Sequence, residues 1–374
     1  MMGAMAIANG FQYEIKSKIS GFTGDILMTS PGYQMMGEQH PIQGRPSYFE
    51  TLAAAPGVAA VEQVAYLAGV VRNAGEVQGI VFKGVDSLYN FSFFERQLVE
   101  GRLPDYRTPK SSNEVLLSER IANQLGLQLG DGFTVYFVGD RIRVRKFHLV
   151  GTYSLGMNEF DELFALADLR QLQHLMGWSS DQVATLEIHC QPGKRAENLL
   201  PYLDELITQA NNDDPALIPQ LVSKSYRHIY DWLAVLEMNV LIILVLMIIV
   251  SGFNMVSGLL ILLFEKIKMI GLLKALGMRT AKICQVFVFR GMRIVLVGMG
   301  IGNLIAGLFC MTQARWKWFS LDESNYFVDH LPIHLPFSSW LFVNLSALLA
   351  IFLILWLPTL FISRVSPAKT LKAD

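Results

Sequence analysis

His330 and His334 stand four residues apart, the spacing at which two imidazoles on one helical face could hold a metal ion. Pro332 lies between them and Pro336 follows. Proline lacks the amide proton and its ring blocks the preceding turn, so the helix this geometry needs is broken. The pair reads as two plain histidines beside a membrane. Asp213 and Asp214 could form an acid/base pair, but they sit in Asn-Asn-Asp-Asp-Pro, the composition of a solvated turn. Cys190 stands alone in the polar part, while Cys284 and Cys310 fall in or beside apolar runs, so no disulfide framework is expected. A lone cysteine reads as a small buried residue rather than a reactive thiol. The sequence has no G-x-x-x-x-G-K-[ST] phosphate loop, no G-x-S-x-G, no H-E-x-x-H and no Cys-x-x-Cys. The expectation is a chain with no catalytic residue, metal site or cofactor of its own.

Large elements must account for the remaining residues. Of 374 residues, 52% are apolar and 17% charged, against about 45–50% and about 25% in soluble domains. A net charge of −1 gives no field that would favour nucleic acid. The apolar excess lies in three runs, Leu233–Phe264, Ile294–Met311 and Trp340–Ile362, in which Glu237 is the single charge. Each can cross a hydrocarbon core that takes roughly 20 helical residues. The first, at 1.5 Å per residue, is about 48 Å long and should continue as a stalk beyond the bilayer. Glu237 would then sit near the headgroups.

Lys266, Lys268, Lys274, Arg279, Lys282, Arg290 and Arg293 crowd the connector between the first two runs, and Arg364, Lys369 and Lys372 lie in the tail. The positive-inside rule turns both to the cytoplasm and residues 11–230 and 312–338 outward. Met1–Ala8 is apolar but too short to span, and it lacks the basic start of a signal peptide. Two readings stand: residues 1–10 are the outer end of a first transmembrane helix whose beginning lies upstream, or they are a short natural start.

Residues 11–230 read as an α+β domain, expected to form two subdomains. Val61–Val71, Gly79–Lys83, Phe133–Val138, Ile142–Val150 and Val183–Cys190 have strand composition. Gly139-Asp140 marks a hairpin turn. Ser118–Leu125, opened by a capping serine, and Asp168–Met176 read as short helices, and Arg195–Gln209 as a longer one. The expected order is then a stalk and span at 231–264, a cytoplasmic connector at 265–282, spans at 283–311 and 339–363 around an outer loop at 312–338, and a tail at 364–374.

The connector Phe264-Glu-Lys-Ile-Lys-Met-Ile-Gly-Leu-Leu-Lys-Ala-Leu-Gly-Met278 resembles that of FtsX-like permeases in the mechanotransmitting class of ABC transporters. The tail Val365-Ser-Pro-Ala-Lys-Thr-Leu371 and the segment Asn113–Asp131 resemble the same family. Gly10–Ile26 is similar to the segment that follows the first helix in lipoprotein-releasing permeases, and Phe327-Val-Asp-His-Leu-Pro-Ile333 to their second outer loop. The family has four transmembrane helices, whereas this chain shows three and a fragment.

The connector has helical composition, with Ile267, Ile270, Leu273 and Leu276 recurring at threes, Lys266 and Lys274 solvated, and Gly277 as a stop. The resemblance makes Glu265, Lys266, Ile267, Ile270, Gly271, Leu273, Lys274, Ala275, Leu276 and Gly277 a coupling helix seated in a separate ATPase subunit, which would bind ATP and Mg. An interfacial helix lying on the membrane is the plainer alternative.

The resemblance further implies a second permease copy or a related permease, a lipoprotein substrate, a periplasmic carrier, and membrane lipid in the bacterial inner membrane. Leu233, Leu236, Val240 and Ile243 are candidate lipid contacts. Two other functions share the architecture: an exporter of small molecules or peptides, and a transmembrane regulator of a cell-wall hydrolase.

Overall fold

A computed structural model describes residues 1–363 apart from 36, 38, 74, 139, 140 and 211–216. The Gly139-Asp140 turn, Asp213, Asp214 and the tail from Arg364 therefore lie outside the described residues. The chain divides into two compact units, one made of Ile15–Tyr230 and Leu321–Asp329, the other of Met1–Glu14, Asp231–Ser320 and His330–Asp374.

The first unit is α+β. Its strands are β1 (Ile26–Thr29), β2 (Ile42–Gln43), β3 (Val58–Asn73), β4 (Glu76–Val85), β5 (Leu98–Gly101), β6 (Glu114–Ser118), β7 (Gly132–Phe137), β8 (Arg143–Tyr153), β9 (Phe164–Asp168), β10 (Gln182–Val183), β11 (Thr185–Cys190) and β12 (Ile218–Leu221). Among the described residues, ten of these strands form one mixed sheet in the order β12-β1-β11-β3-β4-β9-β6-β8-β5, with β7 pairing β3 and β8. The expected strand Val183–Cys190 divides, because Val183 pairs with Ile42 in a separate two-stranded ladder while Thr185 begins the pairing of β11 with β1 and β3. Ser118 caps its helix as its position predicts, its Oγ accepting from the Ile121 amide at 3.0 Å. β9 was not foreseen. All five of its residues are buried, and Phe-Ala-Leu-Ala-Asp holds no β-branched residue to mark it as a strand.

The opening helix corrects the boundary at residue 10. It runs from Met2 to Thr23, so the segment that resembled a post-helix stretch is helical to Thr23. The reason is a row of Phe11, Ile15, Ile19 and Phe22 at spacings of four, four and three, each at most 4% exposed. Gly24, at φ +74°, ends the helix and turns the chain into β1.

Lys83 of β4 is fully buried beside that helix end. Its ammonium donates to the Phe22 carbonyl, and at 2.8 Å to Glu187 Oε2 on β11, whose side chain is equally buried. Tyr66 of β3 donates to the other Glu187 oxygen at 2.5 Å. The ammonium also lies 4.8 Å from the Phe22 ring centre and 5.3 Å from that of Tyr89, near enough for attraction by the π faces. One cation thus answers a carbonyl left open at a helix end, a buried carboxylate and two rings. Glu62 and His189 extend the group, with His189 Nε2 donating to Glu62 at 3.1 Å and the Asn90 amide donating to Glu62 at 3.1 Å.

The second unit is helical. Arg227–Glu265, Thr280–Trp316 and Phe337–Trp356 are long and apolar enough to cross a membrane. The first starts at Arg227 rather than 231, the second at Thr280 rather than 283, and the third at Phe337 rather than 339. The second also continues to Trp316, into the expected outer loop. Close approach relies on glycine: a Cβ on Gly252 would stand 2.6 Å from Ile354 Cδ1, and one on Gly10 would stand 2.2 Å from the Pro332 carbonyl oxygen. Asn303 donates to Asn344 across two apolar helices at 2.7 Å, so each amide meets a partner where water is scarce. In the same unit Gln12 donates to Glu237 at 2.7 Å, and Tyr13 stacks on His334 at 4.4 Å between centroids.

Two expectations follow for stability. Lys83→Met leaves Glu187 buried without its cation and should cost about 3–5 kcal/mol in urea unfolding. The double variant Lys83→Met/Glu187→Leu should recover much of that loss. A single variant as stable as wild type would show the ion pair to be dispensable. The second concerns pH. Burial pulls the His189 pKa down, but the hydrogen bond to Glu62 and the charges of Glu62 and Glu187 outweigh it and leave the pKa raised. A raised folded value means the pairing adds its stability in full below about pH 6.5 and loses it as pH rises through that higher value. The urea midpoint should therefore fall on raising the pH from about 6 to 8, and His189→Gln should flatten the fall. Identical pH profiles for the two proteins would refute the linkage.

Candidate functional site

The connector is a nine-residue helix, Ile267–Ala275. Glu265 closes the preceding helix and Lys266 is the single residue between the two, so neither belongs to the connector helix itself. They pair with each other in solvent at 3.0 Å. The C-terminal end has the geometry of a Schellman stop. Gly277 takes φ +84°, its amide donates to the Lys274 carbonyl at 3.0 Å, and the Met278 amide donates to the Leu273 carbonyl at 3.0 Å. Leu276 is the cap, and Thr280 already begins the next helix.

The structure divides the row Ile267, Ile270, Leu273 and Leu276. Ile270 is fully buried in a cluster with Leu263, Ile283 and Phe287, against which Leu273 also packs. Gly271 is buried, Ile267 and Lys274 are half-buried, and Ala275 and Gly277 are exposed. Leu276 is 76% exposed. The row expected to seat a partner thus packs mostly on this chain's own helices. A second row points outward: Met269, Leu272 and Leu276 are all exposed, beside Met278. They too recur at three and four, so the signal was in the sequence. A helix apolar on both sides needs two apolar neighbours, and the described residues supply one.

The candidate lipid contacts separate in the same way. Leu233 is buried at 1% exposure, Leu236 and Val240 are half-buried, and Ile243 is 44% exposed. Val235, Met238, Leu241 and Ile242 are more open than any of these four. Lipid or cargo reaching this helix in a single chain would meet them before Leu233.

On the α+β unit, Tyr136, Val138, Ile142 and Val144 of the β7–β8 hairpin are exposed, and Arg141, Arg143 and Arg145 are interleaved with them. Apolar and basic groups so alternated on an open hairpin are the makings of a protein contact.

Glu62, Glu187 and His189 bring ligand atoms within 4.8 Å of one another. Both Glu187 oxygens are already engaged by Lys83 and Tyr66, and Glu62 by His189 and Asn90. The positive charge is the protein's own, so the group serves the fold. Cys190 donates its amide to Asp25 at 2.7 Å, and burial, followed by the Asp25 charge, pushes its thiol up to about 12. It is not a thiolate at neutral pH.

The MacB-like periplasmic core domain family matches residues 1–206, more than half of the 374-residue chain, and the FtsX-like permease C-terminal family matches residues 241–367. The chain is 24% identical to the lipoprotein-releasing system transmembrane protein LolC of Xylella fastidiosa, over all of this chain and 90% of that one. It is 22% identical to the LolC of Neisseria meningitidis serogroup B and 21% identical to the LolE of Haemophilus influenzae, each over 99% of this chain and 90% of the relative. Among solved structures, the periplasmic region of MacB from Actinobacillus actinomycetemcomitans is 15% identical, with a TM-score of 0.40 over 57% of this chain and 95% of that one. The resemblance read from the connector and the outer segments thus extends along the whole chain. The protein belongs to the family of FtsX-like permeases with a MacB-like periplasmic core domain, and is a membrane subunit of a transporter.

Proposed function

We propose that this chain is the multi-pass permease subunit of an inner-membrane ABC transporter that extracts lipoproteins and passes them to a periplasmic carrier. The observation that carries the reading is similarity to lipoprotein-releasing permeases along the full chain, α+β unit and helical unit alike. A separate ATPase subunit binds ATP and Mg. It seats against the outward row Met269, Leu272 and Leu276, while Ile270 fixes the connector to its own helices. A second copy or a related permease covers apolar helix surface that one chain leaves open; the most apolar 18-residue stretch of Arg227–Glu265 is only 6% buried. The β7–β8 hairpin faces the carrier.

ATP is a reasonable requirement, because drawing an acyl chain from the bilayer costs about 0.8 kcal/mol per CH2. The chain's own groups have no covalent chemistry to perform. They offer apolar surface, transmit force and exclude water.

Depletion of this permease in spheroplasts should leave outer-membrane lipoproteins in the inner membrane, and wild type with its ATPase should restore their release. Gly271→Asp, which places a carboxylate in the buried connector face, should not restore it, and Leu272→Asp should fail by weakening ATPase capture. Normal sorting during depletion would sink the assignment and favour export of a small molecule or peptide. A second expectation is that Ile142→Asp weakens carrier capture about tenfold without changing the urea midpoint. Unchanged capture would remove the hairpin from the carrier contact.

A further inference from the structure

A cleft of about 700 Å³ opens in the α+β unit, among β1, the β4–β9 pair and the loop that carries Tyr33. It falls within the range of about 300–1,000 Å³ that holds small ligands. Its apolar walls are Leu27, Met35, Leu163 and Phe164, and the side chains of Tyr33 and Tyr226 complete it. Both phenols lack a good acceptor. Tyr33 Oη is buried with no hydrogen-bond partner among the described residues. Tyr226 Oη has the Met35 sulfur, a weak acceptor, at 4.0 Å. Burial raises both phenol pKa values, with the Glu187 charge adding to it, so both hydroxyls remain donors. A buried donor without an acceptor calls for an explanation, and a ligand oxygen is one.

Charge narrows the ligand further. Glu159 and Glu162 line the cleft, Glu159 met by His228 at 2.8 Å and Glu162 by Arg120 at 2.6 Å. An anionic head would find no unengaged cation among the lining residues, whereas a neutral carbonyl needs only the donors that Tyr33 and Tyr226 supply.

We propose that this cleft binds an uncharged aliphatic ester or amide. Its carbonyl oxygen accepts from the tyrosine hydroxyls, and its hydrocarbon chain lies along Leu27, Met35, Leu163 and Phe164. The site goes beyond the transport reading and is distinct from the membrane-helix contacts. Such a group could come from a membrane lipid or from the lipid-modified end of a cargo protein, and the second source rests on the transport reading.

The test uses the full chain in nanodiscs and a diazirine-bearing monopalmitoylglycerol as probe. After photolysis, peptides carrying Met35 or Leu163 should be labelled. Unlabelled monopalmitoylglycerol should compete and palmitate should not. Tyr33→Phe removes only the hydroxyl and should weaken binding about threefold to tenfold. Gly79 lines the cleft, and a Cβ there meets nothing within 4 Å. Gly79→Phe should therefore fill the space and abolish labelling while the circular dichroism stays unchanged. Labelling that persists in Gly79→Phe, or that palmitate displaces equally well, overturns the proposal. In a competition arm, a synthetic triacylated cysteinyl peptide that outcompetes monopalmitoylglycerol assigns the site to cargo. The opposite order assigns it to membrane lipid, and both orders support the site. Lipoprotein sorting in cells carrying Gly79→Phe is scored separately, so loss of the cleft and loss of transport are read independently.

Discussion

The α+β unit depends on one buried cation. Lys83 has no water to solvate it, and an ammonium removed from water is tolerated only where other groups replace its hydration shell. Here the replacements come from distant parts of the chain: a helix-end carbonyl at residue 22, a carboxylate at residue 187, and two aromatic faces. Satisfying the charge therefore fixes the end of the first helix against β4 and β11 at once. Tyr66 fixes β3 through the same carboxylate. This arrangement of donors and acceptors adds a directional constraint on strand register to the one the hydrophobic core imposes.

The helical unit follows a different rule. It has few polar contacts to set its geometry, and those it has are placed where a single amide pair or a stacked ring suffices, as at Asn303–Asn344 and Tyr13–His334. Close packing at Gly252 and Gly10 fixes the rest. Much apolar surface remains open, in keeping with a chain whose solvent is lipid and whose neighbours are other subunits.

Local signals in the sequence were strong where β-branched and aromatic residues crowd together, whether or not one face meets water: residues 80–85 of β4 and 185–188 of β11 are buried throughout. β3, β4, β7 and β8 have runs of Val, Ile, Phe and Tyr, and Ser118 marks a helix start by its hydroxyl alone. β9 was illegible because Phe-Ala-Leu-Ala-Asp has no β-branched residue and ends on an acid. The helix through Thr23 was obscured by Glu14, Lys16 and Lys18, although the row Phe11, Ile15, Ile19 and Phe22 was present. Lys83 and Glu187 are 104 residues apart, and nothing local announces such a pairing. The connector shows a subtler limit. Periodicity identified an apolar row, but two rows share the same period, and spacing cannot tell which of them the chain covers with its own side chains.

That two-sided connector bears on how the protein must be made. With Ile270 already committed inward, Met269, Leu272 and Leu276 are left exposed among the described residues. A chain synthesised in excess of whatever covers this row would carry an adhesive surface for as long as it stayed unassembled, open to aggregation and to the proteases that clear orphan subunits. On the proposed reading, in which the ATPase covers this row, the safe cellular abundance of the chain is set by the supply of that neighbour, and synthesis in matched amounts becomes part of the requirement for assembly.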